Sequence, residues 1–186
     1  MPKIYTRSGD DGSTGLIGGK RVTKDSPRIE ACGSLDELNA GIGVARSQIV
    51  PDSVDGVLRR VQEILFVIGA ELAHPEASGR GDPVLGDDEI RNLENEIDKF
   101  EESLKPIRQF ILPGGSRAGA QLHLVRALVR RTERKCVALS RNEELNSRIL
   151  GYLNRLSDLC FVLARYVNQQ ESAPEEHPIP GNNETD

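Results

Sequence analysis

The chain of 186 residues contains no tryptophan, and its aromatic share is only 4%. A base-stacking platform for single-stranded nucleic acid needs more rings than that. Net positive charge is also missing. The formal charge is −5 at pH 7, which argues against a general nucleic-acid surface and makes any useful positive charge local. Cysteine is sparse: Cys32, Cys136 and Cys160 are odd in number and form no Cys-x-x-Cys pair. That pattern supports neither a disulfide framework nor a zinc site. No apolar run reaches about 18 residues, and Met1-Pro-Lys-Ile-Tyr5 does not read as a signal peptide. The expectation is a soluble protein of a reducing compartment, the cytoplasm. A P-loop is absent as well, because Gly19-Lys20 has Thr14 where the first glycine should stand and Arg21 where Ser or Thr should follow.

What is present is helical periodicity. Val54, Val57, Leu58, Val61, Ile64, Leu65, Ile68 and Leu72 follow the three-four spacing of an amphipathic helix that ends at His74-Pro75. Ser34-Leu-Asp-Glu37 reads as a capping box, with Ser34 as N-cap of a helix to about Gln48 and Asp36 in its first turn. Asp87-Asp88 suits another start, with Ile90, Leu93, Ile97 and Phe100 as core positions and Pro106 as the stop. A long helix runs from about Ser116 to Leu139, after a turn at Pro113-Gly-Gly115, and a last one from about Leu145 to Gln170. No strand pattern competes. Five amphipathic helices with short connections imply an all-α bundle. The boundaries expected are one helical-bundle domain over 1–170, a non-helical glycine-rich segment within it at 1–28, a Pro/Gly/Ser loop at 75–86, and a disordered polar tail at 171–186.

The long helix carries the chemistry. Ala118, Leu122, Val125, Val129, Thr132 and Cys136 fall on one side as a core stripe. Arg126, Arg130 and Glu133 fall on another, with His123 and Arg134 at its margin. A solvated face with helix-stabilising pairs is the bland account. Stacked arginines also suit phosphate, since the planar fork donates to two oxygens at once. The segment Tyr5–Gly15 alternates glycine with hydroxyl and basic residues, which can turn backbone N–H groups toward phosphate oxygens. On the last helix, Ile149, Tyr152, Leu153, Leu156, Leu159, Cys160, Leu163 and Val167 form the core side. Asn154, Asp158, Phe161 and Arg165 form an opposite stripe, read as solvated, where mid-helix Asn154 suggests a task. Glu71-x-x-His74 has the spacing of a di-iron ligand pair but lacks a second copy.

Five blocks occur in order: Lys3-Ile-Tyr-Thr-Arg-Ser-Gly-Asp-Asp-Gly12, Gly33-Ser-Leu-Asp-Glu-Leu-Asn39, Phe110-Ile-Leu-Pro-Gly-Gly115, Arg130-Arg-Thr-Glu-Arg134 and Tyr152-Leu-Asn-Arg-Leu-Ser-Asp158. Together, over roughly 3–168, they closely resemble the PduO-type ATP:cob(I)alamin adenosyltransferases. The resemblance implies a five-helix bundle assembled as a homotrimer with sites between subunits. It implies transfer of the 5′-deoxyadenosyl group of ATP to the cobalt of cob(I)alamin, or of cob(I)yrinic acid a,c-diamide, with triphosphate as the leaving group. Thr6, Arg7, Ser8, Gly9, Thr14, Gly15 and Lys24 would form an ATP clasp against a neighbour's Arg130, Arg131, Thr132, Glu133 and Arg134, with Asn154 as a further contact. Relatives often differ at Arg7 and Ser8, so contacts there would run through backbone. Mg²⁺ would sit on the phosphates, with no dedicated protein ligands. Asp36 and Arg126 would pair across the subunit boundary, and with Arg130 they make up the expected catalytic set. Phe110 would pack beneath the corrin ring and displace the lower axial ligand. A flavin-type reductase and a B12-dependent enzyme would be partners. Other classes remain open at this point: a non-catalytic cobalamin escort or nucleotide sensor on the same bundle, or a purely structural trimer.

Overall fold

Among the described residues, apolar positions three and four apart fold as five helices, and each start is set by a side chain or turn that satisfies free N–H groups. The computed structural model describes residues 4–48, 50–74 and 85–179. Helix α1 spans Pro27–Arg46, with Ser26 as N-cap accepting from the Ile29 N–H and Pro27 at the first helical position. That corrects the expectation for Ser34, which lies inside the helix and donates its hydroxyl to the Glu30 carbonyl at 2.8 Å. Asp36 is therefore mid-helix, and the dipole at a helix start does not explain it. Proline at the first position loses no hydrogen bond, so Ser26-Pro27 is the stronger start signal of the two.

Helix α2 spans Asp52–Ala73 and buries Val54, Val57, Leu58, Val61, Leu65, Ile68 and Leu72. Helix α3 spans Asp87–Glu101 and ends before Pro106, so that proline does not itself stop it. Its start is closed by the Gly86 N–H, which donates to the Glu89 carboxylate at 3.0 Å. Helix α4 spans Arg117–Ser140, capped by Ser116, whose hydroxyl accepts from the Gly119 N–H at 3.0 Å. Helix α5 spans Ser147–Gln170, capped by Asn146. Two short strands were not expected. Strands β1 (Ser13–Gly15) and β2 (Arg21–Thr23) pair antiparallel, with Thr14 opposite Val22. They are too short and too polar to show a period of two.

Helix α4 packs between α1 and α5, α2 packs on α1, and α3 on α5. Helices α2 and α3 then face each other across a cleft of about 390 Å³, bridged by Arg60 and Glu96 at 3.0 Å. The core stripes of α4 and α5 are buried as the spacing implied. Cys136 and Cys160 lie within that core, and burial pushes both thiols up to about 12, so they behave as small hydrophobes. The opposite stripe of α5 is mixed. Asn154 and Asp158 are exposed, but Arg165 is buried and pairs with Glu175 at 2.6 Å. Residues 171–179, expected as part of a disordered tail, fold back: the Leu112 N–H donates to the Glu176 carbonyl at 2.8 Å. The expected loop at 75–86 lies outside the described residues over 75–84, as do 1–3 and 180–186.

One side chain locks the Pro-Gly-Gly turn onto the bundle. Asn168 of α5 is buried; it accepts from the Ser116 N–H at 2.9 Å and donates to the Gly114 carbonyl at 3.0 Å. Gly115 has φ +95°, and a Cβ on Gly119 would overlap the Asn168 amide. Substitution Gly119→Ala should therefore destabilise the fold by about 1–3 kcal/mol through forced repacking. Denaturant unfolding measures it, and an unchanged midpoint would contradict the close approach.

Candidate active site

The N-terminal segment is a loop tied together by its own short side chains. Thr6 Oγ1 and Ser8 Oγ lie 2.7 Å apart, and Arg7 adopts φ 60°. Arg21 of β2 reaches back to donate to the Ser8 carbonyl at 2.6 Å and to the Ser13 hydroxyl. Asp11 accepts from the Ser13 N–H at 2.9 Å and from its hydroxyl at 2.8 Å. These bonds, with Arg21 nearby, hold its carboxyl below the usual range. Gly9 leaves room for Lys24, since a Cβ there would stand 3.2 Å from the Lys24 ammonium nitrogen. Thr6, Ser8, Gly9 and Lys24 thus gather at one end of the β1–β2 hairpin, while Thr14 and Gly15 lie on β1 itself. The other end is fastened to the bundle: Leu16 is buried, and the Ile17 N–H donates to the Ala73 carbonyl at 2.9 Å.

On α4, Arg130, Arg131 and Arg134 are exposed. Arg131 pairs with Glu37 of α1. Neither Arg130 nor Arg134 has a carboxylate partner among the described residues, so both guanidinium groups remain available to an anion. Glu133 accepts from the Asn154 amide of α5 at 3.3 Å, which joins the two helices at the same level. Thr132 is different. It is fully buried, and its hydroxyl donates to the Ser34 carbonyl of α1 at 3.0 Å, with the Leu128 carbonyl also at 3.0 Å. It thereby joins α1 to α4, beside the nucleotide-contact role expected for it.

One turn before Arg130 on α4, Arg126 lies over the Phe161 ring, 5.5 Å from its centre. Both line a cleft of about 580 Å³ with Ile107, Arg108, Phe110 and Asp158. Phe110 is 86% exposed at this cleft, so it is no core residue. Phe161 is supported by an edge contact with His123, centre to centre 5.9 Å. His123 is buried with Nε2 unpartnered, and burial, reinforced by Arg126, pushes its pKa down. Arg108 and Phe161 were missing from the expected site. Phe161 did carry a signal, as an aromatic on a polar stripe of α5. Arg108 carried none, because the stretch around it has no period.

Two expected pairings are not made within the chain. Asp36 is exposed on α1, in a separate cleft of about 490 Å³ beside Asn39 and the exposed Phe66. No ion pair joins it to Arg126 among the described residues. Likewise no hydrogen bond joins Thr6–Gly9 to Arg130–Arg134.

The fold and these features define a class: a helical bundle that sets unpaired guanidinium groups, suited to a polyanion, beside an aromatic cleft suited to a large flat ligand. The chain belongs to the cobalamin adenosyltransferase family, whose model matches residues 4–167. It is 42% identical over 170 residues to the corrinoid adenosyltransferase of Bacillus subtilis (strain 168), covering 89% of this chain and 86% of that one. It is 40% identical to a corrinoid adenosyltransferase of Citrobacter freundii, over 94% of this chain and 98% of the relative. Among solved structures, a variant of the PduO-type ATP:corrinoid adenosyltransferase from Lactobacillus reuteri, complexed with cobalamin and ATP, superposes with a TM-score of 0.90. The two are 36% identical, over 95% of this chain and 99% of that one.

The buried position of Thr132 has a measurable consequence. Thr132→Val should lose about 0.5–1.5 kcal/mol of stability with its interhelical hydrogen bond, while KM for ATP stays at the wild-type value. A large rise in KM with unchanged stability would return Thr132 to the nucleotide contacts.

Proposed function

We infer that this protein transfers the 5′-deoxyadenosyl group of ATP to the cobalt of a reduced corrinoid, cob(I)alamin or a close analogue, and releases triphosphate. The observation that carries the reading is the pair of cations Arg130 and Arg134, uncompensated among the described residues, one and two turns beyond Arg126 at the Phe110–Phe161 cleft. The relatives' names and the ligands of the solved neighbours support the same reading.

The chemistry places light demands on the protein. The Co(I) electron pair attacks C5′ of ATP, a Co–C bond forms, the C5′–O bond breaks, and its electrons leave on triphosphate. No proton need move, so the site requires no general base. It must hold C5′ against cobalt and meet the charge growing on the leaving oxygen. Arg130, Arg134 and the Glu133–Asn154 pair are the rigid half of that arrangement. Arg131 would join after leaving Glu37, at little cost for an exposed pair. Thr6, Arg7, Ser8, Gly9, Thr14, Gly15 and Lys24 are the flexible half. Because the halves do not meet within one chain, the reading places them at the boundary between copies in a homotrimer. Asp36 and Arg126 pair across the same boundary, and neither has an oppositely charged partner among the described residues of its own chain.

Mg²⁺ enters as part of the substrate, on the phosphate oxygens. Phe110, bare to solvent, faces the lower side of the corrin. By keeping an axial donor off cobalt it raises the Co(II)/Co(I) potential into the range of a flavin-type reductase. The reading places the enzyme in the cytoplasm, handing its product to a B12-dependent enzyme.

Anaerobic incubation with ATP, Mg²⁺ and cob(I)alamin should convert the cobalt spectrum to that of an alkyl-cobalt product. Fresh protein that binds both substrates without that change would refute catalysis. Arg130→Ala should lower kcat/KM by about 100-fold or more, as for loss of one transition-state donor, with an unchanged circular dichroism spectrum. Wild-type turnover in that variant would remove Arg130 from the site.

A further inference from the structure

Residues 105–115, which carry Phe110, contain no helix or strand. The Phe110 side chain is almost wholly exposed, so packing of its own ring does not hold it in place. Its position must come from the backbone, and that backbone is gripped at several points by the end of α5 and the chain that follows. Asn168 holds the exit of the loop, at Gly114 and Ser116. Arg165 holds its start, donating from Nη2 to the Lys105 carbonyl at 2.7 Å. The middle is held by residues beyond the helix. After Gln170 the chain reverses at Ser172, whose φ of 54° is left-handed. The Ala173 N–H then donates to the Asn168 carbonyl at 2.8 Å. Glu176 accepts at its carbonyl from the Leu112 N–H, also at 2.8 Å. His177 Nδ1 lies 2.9 Å from the Phe110 carbonyl oxygen. One ion pair pins this strap to the bundle: Arg165 Nε donates to Glu175 at 2.6 Å, with the arginine side chain 4% exposed and the glutamate 31%.

We propose that Glu175 is a positioning residue for the adenosyl transfer: by pinning the 173–177 strap to Arg165, it fixes the backbone of 110–112 and thereby the height of the Phe110 ring in the corrin cleft. The proposal rests on the reading that Phe110 faces the corrin. Arg165 thus reaches both the start of the loop and the strap that closes it, so one buried guanidinium sets the span between them. A residue acting in this way changes the cobalt end of the reaction and leaves the nucleotide end alone.

The test uses the full chain with Glu175→Ala, Glu175→Gln, His177→Ala, Phe110→Ala and the double variant Phe110→Ala/Glu175→Ala. Four quantities are read: kcat, KM for ATP, the absorption signature of four-coordinate cob(II)alamin in the presence of ATP, and hydrogen exchange at 110–112. Glu175→Ala should lower kcat by about tenfold to a hundredfold, the scale of a small misplacement at a reacting centre. It should also weaken the four-coordinate signature, leave KM for ATP within about twofold, and speed exchange at Leu112. Glu175→Gln, which keeps an acceptor for Arg165, should recover part of the loss. If Glu175→Ala fails to fold, Glu175→Gln and His177→Ala carry the same comparison. The double variant should be no slower than Phe110→Ala alone, because residues acting through one group are not additive.

Wild-type kcat and signature in Glu175→Ala and His177→Ala would overturn the proposal. So would additive losses in the double variant, or an equal change in KM for ATP. If Phe110→Ala itself changes neither kcat nor signature, the corrin-facing reading of Phe110 fails. Exchange at Leu112 then judges the strap separately: faster exchange in Glu175→Ala supports the pin, and unchanged exchange refutes it.

Discussion

Helix α4 has to satisfy two environments at once, and the rest of the molecule is arranged around that constraint. One stripe, from Ala118 to Cys136, is buried between α1 and α5. The neighbouring stripe leaves Arg130 and Arg134 without a partner charge among the described residues. A helix can hold both only if its buried side is well anchored, because two bare guanidinium groups one turn apart repel each other. The anchoring is visible. Thr132 crosses to the Ser34 carbonyl, Glu133 takes the Asn154 amide, and the start of the helix is fixed through Ser116 by Asn168. The repulsion between the arginines is then a standing bias toward anion binding, relieved when a polyphosphate arrives.

The same economy appears at the aromatic cleft. Burial, and Arg126 beside it, push the pKa of His123 beneath Phe161 down, which disfavours a second positive charge next to Arg126. Arg126 itself lies over the ring face, an attractive geometry for a cation and an aromatic quadrupole. In the proposed trimer, the Arg126 guanidinium is what a neighbour's Asp36 would meet.

The chain alone therefore presents two incomplete surfaces. One is the hairpin-borne loop with Lys24, pinned to α2 at Ala73. The other is the α4–α5 face with its cleft. In the proposed trimer, completion of each surface by a second copy would account for the cation pair, Asp36 and Phe66 that this chain leaves exposed. It also explains why the loop can remain glycine-rich. A loop that closes on a ligand from outside needs reach and backbone donors more than packing.

Much of this was legible in the residues themselves. The core stripes of α2, α4 and α5 follow from side-chain spacing, since burial on a helix repeats with its pitch. The arginine stack and the glycine-rich segment were recognisable for the same reason: their chemistry is local. The start of α1 was misread at Ser34 because two cap signals competed, and only helix packing selects between them. Thr132 fitted two descriptions, core stripe and nucleotide block. The α1–α4 contact bears out the core stripe, because a hydroxyl can satisfy a carbonyl on the facing helix. Arg165 and residues 173–177 looked like a solvated stripe and a tail, and Asn168 drew no reading at all. Their roles depend on a loop some sixty residues away in the chain, and polar residues that bond non-local backbone leave no period to read. Sequence determined what each helix had to bury, because that is a property of neighbouring residues. Tertiary structure alone decided which polar side chains were structural and which were left free for a ligand, because that depends on what the fold brings opposite them.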